Sequence, residues 1–143
     1  MSTSTKFSTS LLSTVLLFTC IAVSNQAAAS LVELKWDEKG RFQHKTEIKA
    51  GGMLEVCGKL AAGLKIDWQY KSPLALDFNI HYHEGKKVTL PVKHQARKEV
   101  AEQFETKIAQ DYCWMWSNKS KQSASIELSL VQAAYKLLPT PVN

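Results

Sequence analysis

The sequence predicts an all-β protein: an antiparallel β-sandwich of jelly-roll or immunoglobulin-like arrangement, with about seven to nine short strands after a cleaved signal peptide. Three observations carry that expectation. Apolar and polar residues alternate one by one through most of the chain past residue 30, the period that sends successive side chains to opposite faces of a strand. Short breaks rich in Gly, Pro, Lys and Ser recur between the alternating segments. The one long apolar run lies at the N-terminus, where an export leader belongs.

That leader reads in three parts. Residues 1–10, MSTSTKFSTS, are polar with one Lys, and LLSTVLLFTCIAV (11–23) is nearly continuous apolar chain. SNQAAAS then offers small residues at the spacing a signal peptidase reads, which places cleavage near Ala29–Ser30. An apolar run of 13 residues is short for a bilayer core of ~30 Å, so cleavage is expected rather than an N-terminal anchor. A lipoprotein signal at Cys20 is disfavoured by Thr19 and by the apolar run continuing beyond it. The expected organisation is a leader over 1–29, one domain over 30–135 and a tail over 136–143.

Elements follow in order. LVELKW (31–36) and RFQHKTEIK (41–49), with DEKG between them, read as a hairpin. MLEVCGKL (53–60) follows the AGG break as a strand with Leu54 and Val56 inward. LKIDWQY (64–70) sets Leu64, Ile66, Trp68 and Tyr70 on one face; KSP (71–73) reads as a turn. LALDFNIHYH (74–83) sets Leu74, Leu76, Phe78, Ile80 and Tyr82 on one face and Asp77, Asn79, His81 and His83 on the other. EGKK leads into VTLPV (88–92), where Pro91 implies an edge or a strand end because it has no N–H to donate. Residues 93–110 suit a helix by composition and a strand by context; the surrounding pattern favours strand. DYCWMWSN (111–118) and ASIELSLV (124–131) complete the set.

With the leader removed, Cys57 and Cys113 remain, and an even count in an exported chain predicts a disulfide over two buried thiols or a Cys113 nucleophile. Cleavage removes one charge, Lys6, leaving 17 basic residues against 13 acidic, or +4, with the two signs interspersed. That is a solvated surface and not the one-sided basic face of a nucleic-acid binder. No later segment reaches transmembrane length, and no glycine-rich phosphate loop, nucleophile elbow or paired-carboxylate motif is present. A catalytic role is therefore not expected.

Two stretches, GGMLEVCGKLAAGLKIDWQYKSPLALDFNIHYHEGKKVTLPV and DYCWMWSNKSKQSASIELSL, resemble the GOLD (Golgi dynamics) domain family. The matching positions are Trp68, Tyr70, Asp77, Phe78, Ile80, Tyr112, Trp114, Trp116 and Asn118, within about 80 residues. The resemblance implies a compact β-sandwich used for protein or lipid-linked recognition without catalysis. Family members that act as membrane cargo receptors carry a coiled coil and a membrane span after the domain; neither pattern is read in residues 30–143, so a cargo-receptor role is not expected.

The candidate ligand or partner face is Asp77, Asn79, His81, His83 and Glu84. Alternate residues on a strand lie about 6.5–7 Å apart, so His81 and His83 can converge on one Cu or Zn ion, with Asp77, Glu84, His94 or His44 as further donors. The competing reading is a polar strand face beside a turn. Trp68, Tyr70, Phe78, Tyr112, Trp114 and Trp116 are expected to form the aromatic core, with a flat ligand platform as the alternative for the Trp and Tyr residues. Asn118-Lys119-Ser120 is a glycosylation sequon in a eukaryote and a turn in a bacterium. The function this supports is a non-catalytic binding module, periplasmic or secreted, without a cofactor, for an unknown protein or small-molecule ligand. The alternative is a small periplasmic metal-binding protein.

Overall fold

A computed structural model of the chain describes residues 29–133. The leader, apart from Ala29, and the tail over 136–143 lie outside those residues. The described part is all-β, with seven strands: β1 (Ala29–Glu33), β2 (Arg41–Ile48), β3 (Met53–Leu60), β4 (Lys65–Glu84), β5 (Lys87–Glu105), β6 (Gln110–Ser117) and β7 (Ala124–Gln132). They form one hydrogen-bonded sheet in the order β1-β3-β6-β4-β7-β2, with β5 along the other edge of β4. The sheet is bent until it nearly closes into a barrel.

The bend comes from the length of β4 and β5. At ~3.3 Å per residue, the 20 residues of β4 would extend roughly 66 Å, about twice the width of a domain of this size. The strand has to fold back. It does so where KSP was expected to make a turn: β7 pairs with β4 up to Lys71, and β6 takes over from Asp77 on the same edge. Pro73 lies in the gap between those neighbours, so its missing N–H costs no ladder bond. The Ser72 hydroxyl accepts the amide of Leu74 at 3.3 Å inside the bend. Across the hairpin, β5 accommodates the same bend with a register shift and with Ala96 at a positive φ of 51°. Residues 93–105 are strand, as their context suggested.

β4 thereby belongs to two wings. One holds β1, β3, β6 and the second half of β4; the other holds β2, β7 and the first half. Their inner faces meet through aromatic rings. Trp68 and Phe78 stack at 4.4 Å between centroids, and Trp116 sits 5.2 Å from Phe78 and 5.8 Å from Tyr70. Phe104 packs on Tyr112 and Trp114 at 5.4 and 6.0 Å. Trp68, Tyr70, Phe78, Tyr112, Trp114 and Trp116 are each at most 2% exposed, so these rings are core and not a ligand platform. Burial also pushes the Tyr70 phenol up to about 12, and its hydroxyl donates to the Arg97 carbonyl at 3.1 Å.

The expected hairpin of 31–36 with 41–49 does not form. β1 pairs parallel with β3 and β2 antiparallel with β7, on opposite edges of the sheet. The chain leaves the β3 edge at Leu34, whose amide donates to the Cys57 carbonyl at 2.7 Å. Leu34 is buried over Gly58, where a side-chain Cβ would come within 2.8 Å of the Leu34 Cβ. Asp37 then turns the chain into β2 by accepting the amides of Lys39 and Arg41, each at 2.8 Å.

Asn118 ties this arrangement together. It is 1% exposed, and its Nδ2 donates to the carbonyls of Ile48 (3.0 Å), Lys49 (3.2 Å) and Gln122 (2.7 Å). A side-chain nitrogen so engaged is not presented as a glycan acceptor; the sequon is a structural turn. Asn118→Ala leaves buried carbonyls without a donor, so urea unfolding should show a loss of about 2–4 kcal/mol. A loss below about 0.5 kcal/mol would contradict that role.

Candidate functional site

The outer face of the first wing follows from the pleat. On β3, Leu54 and Val56 point inward, so Glu55 and Cys57 point out; on β6 the outward residues are Cys113 and Met115. On β4, Phe78 and Ile80 are buried in the core, leaving Asn79, His81 and His83 outside. The register aligns them in rows. One row reads Glu33, Cys57, Cys113, His81 across β1, β3, β6 and β4, and the next reads Leu31, Glu55, Met115, Asn79 and, on β5, Lys93.

Cys57 and Cys113 face each other directly, with Cα atoms 4.1 Å apart, and are joined by a disulfide. Bridging a sequence separation of 56 residues stabilises the fold by about 4 kcal/mol in the chain-entropy model. His81 is the next position in the row and is only 6% exposed. Its Nδ1 lies 2.8 Å from Asn79 Oδ1. That oxygen only accepts, so Nδ1 carries the proton and Nε2 the lone pair. Burial holds the His81 imidazolium below its ordinary value of 6.5; the Glu55 carboxylate opposes the shift and His83 adds to it.

His83 is exposed, with its ring 5.3 Å from that of His81 in an edge-to-face arrangement. The other donors suggested by the sequence do not join the pair. Asp77 is held by Lys119 and accepts the amide of Ala96 at 2.9 Å, fixing the β5 bulge; the Lys119 ammonium keeps its carboxyl below the usual range. Glu84 faces Lys87 at 3.9 Å. His94 points to the inner side, near Trp68 and Phe78, and contacts Glu102 at 3.1 Å, while His44 lies beside Phe42 on β2. Instead the fold brings up Glu55: a Glu55 oxygen, a His81 ring nitrogen and Cys113 Sγ all lie within 4.8 Å of one another. Shared parity with Cys57 is a sequence signal for Glu55 on this face; the β4–β6 register that carries His81 to it has none.

The opposite wing offers two shallow depressions of about 440 and 490 Å³ on its outer face, lined by residues including Asp67, Gln69, Ser129, Lys45 and Glu127. Among the described residues no helix is long and apolar enough to cross a membrane.

No family model matches the chain, so the GOLD resemblance stands on its quoted residues alone. No curated protein matches it either. Solved structures of similar fold do exist. PliG of Aeromonas hydrophila, a periplasmic inhibitor of g-type lysozyme, superposes with a TM-score of 0.58 at 10% identity, over 74% of this chain and 98% of that one. The pre-peptidase C-terminal domain of a Bacillus anthracis collagenase gives 0.55 at 15% identity, over 73% and 96%. PliG of Salmonella Typhimurium gives 0.54 at 8%, over 71% and 96%. At these identities the likeness shows the fold.

The depressed His81 value sets a pH dependence. An unfolded chain takes up the His81 proton near 6.5 while the folded chain resists it until lower pH, so stability is lost as pH falls through 6.5 towards the folded value. Unfolding measured at about pH 7.5 and about pH 5.5 should show a smaller pH effect in His81→Gln than in wild type. Equal pH effects in the two proteins would contradict the assignment.

Proposed function

We propose that this chain is an exported, non-catalytic recognition module for a protein ligand, a sandwich-like domain that binds through the outer face of the first wing. The observation that carries this is where apolar surface stays exposed. Of the four large hydrophobic residues left exposed among the described residues, Leu31 lies on this wing, and Val88 and Leu90 lie on the stretch of β5 that pairs with its half of β4. Leu31 pairs with Glu55 and Val88 with His83, so both share the His81 face; Leu90 lies opposite His81 in the adjoining bulge. Single exposed leucines need no explanation. Several on one face, interspersed with Asn79, His83 and Lys93, match the mixed composition of protein interfaces.

Two further points support the reading. Periplasmic lysozyme inhibitors, which bind a protein, are among the structures of similar fold. With Cys57 and Cys113 joined, the described residues contain no free thiol nucleophile. The GOLD resemblance points the same way, towards recognition without catalysis. Metal binding at the His81–His83 pair is the second reading, favoured by the 5.3 Å separation of their rings and by the Glu55 carboxylate beside His81.

A photoreactive residue at Leu90, with a control at Gln43 on the opposite wing, tests the first reading in the exporting host. A discrete adduct with one host protein from position 90 and none from position 43 is expected; the same adducts from both would overturn it. Purified g-type lysozyme is the first specific ligand to titrate. If it binds, Leu90→Asp should weaken capture by about tenfold or more, since desolvated apolar anchors dominate such contacts.

A further inference from the structure

The row Cys57, Cys113, His81 holds a potential metal donor at every position, and Glu55 reaches in from the neighbouring row. Glu55, His81 and Cys113 place their donor atoms within 4.8 Å of one another, and Cys57 Sγ is 4.0 Å from Glu55 Oε2. In a tetrahedral zinc shell, bonds of ~2.0–2.3 Å put neighbouring donors about 3.3–3.8 Å apart, so Glu55, His81 and Cys113 are within about 1 Å of closing around one ion, and breaking the S–S bond lets Cys57 Sγ move away from Cys113 to the fourth position. The sulfurs are bonded to each other, and a disulfide has no thiolate to offer.

We infer that the Cys57–Cys113 disulfide gates a cation site, and that on its reduction Cys57, Cys113, His81 and Glu55 take up one Zn²⁺. A dithiol reductant passes two electrons to the S–S bond; Cys57 and Cys113 become thiols and the dithiol becomes a disulfide. Zn²⁺ then displaces one proton from each thiol, and two thiolates, a neutral imidazole and a carboxylate complete the shell. His81 is prepared for this role. Its Nδ1–H is held by Asn79, which leaves Nε2 as the donor, the outer-shell arrangement that orients metal-binding histidines. The backbone is held independently of the sulfurs, because the buried pairs Leu54–Trp116, Val56–Trp114 and Ile80–Trp114 flank the row. The inference does not depend on the protein-binding reading, which concerns the oxidised face.

The test compares the oxidised chain with chain reduced by a dithiol, freed of reductant without air, and titrated with Zn²⁺ and with Co²⁺ as a spectroscopic probe. One equivalent is expected to bind the reduced form, with a thiolate-to-cobalt charge-transfer band, and at least 100-fold more weakly to the oxidised form. His81→Ala should weaken binding by more than the ~10–100-fold typical of losing an outer-shell partner, and Glu55→Gln should weaken it less. The conservative pair Cys57→Ser with Cys113→Ser should abolish the band while keeping the near-ultraviolet dichroism of the buried tryptophans. Equal binding by both redox forms, binding without a thiolate band, an unaffected His81→Ala variant, or loss of the tryptophan dichroism on reduction would each overturn the inference.

Discussion

Trp68 and Phe78 stand ten residues apart on one strand, yet their rings stack at 4.4 Å. On a straight strand they would be about 33 Å apart. That contact requires β4 to fold back through residues 72–76, and the rest of the molecule follows from the fold-back. It divides one sheet into two wings and turns their inner faces towards each other. It also gathers Trp116, Tyr70, Tyr112 and Phe104 into a shared core. Aromatic rings suit the task, since each buries ~150–250 Å² and a few of them fill the space between two wings.

The same bend determines what each wing shows to solvent. Because β6 replaces β7 as the neighbour of β4 beyond the bend, His81 lies beside Cys113 and not beside the Ser and Glu residues of β7. The disulfide, the shielded imidazole and Glu55 therefore occupy one patch with Leu31 and Leu90 at its sides. A staple between adjacent strands in a small domain has an evident stabilising role. It also lies next to a nearly buried histidine, the juxtaposition on which the proposed cation site rests.

Much of this was legible in the sequence. Alternation at Leu64, Ile66, Trp68 and Tyr70 and at Tyr112, Trp114 and Trp116 identified inward faces, because period two survives any choice of neighbouring strand. The Cys57–Cys113 bond followed from cysteine parity and compartment. Strand partners were not legible in the same way. The DEKG turn between two alternating segments suggested a hairpin, and the burial of Leu34 over Gly58 sends the chain across the molecule instead. KSP resembled a turn because Ser and Pro punctuate most chains; here the proline marks a change of neighbour within one strand. Glu55 is not legible as a neighbour of His81 for the same reason, since their proximity depends on pairing across three strands. Asp77 was grouped with the histidines by parity, whereas Lys119 and the Ala96 amide engage it at the bend.

The most direct measurement of the fold-back is a set of proton–proton contacts in solution on the oxidised chain. The structure predicts contacts between the Trp68 and Phe78 rings, together with cross-strand backbone contacts from β4 to both neighbours, Gln69 to Ser129 and His81 to Cys113. Backbone contacts joining residues 31–36 to 41–49 as a hairpin, with none between the rings of Trp68 and Phe78, would contradict it.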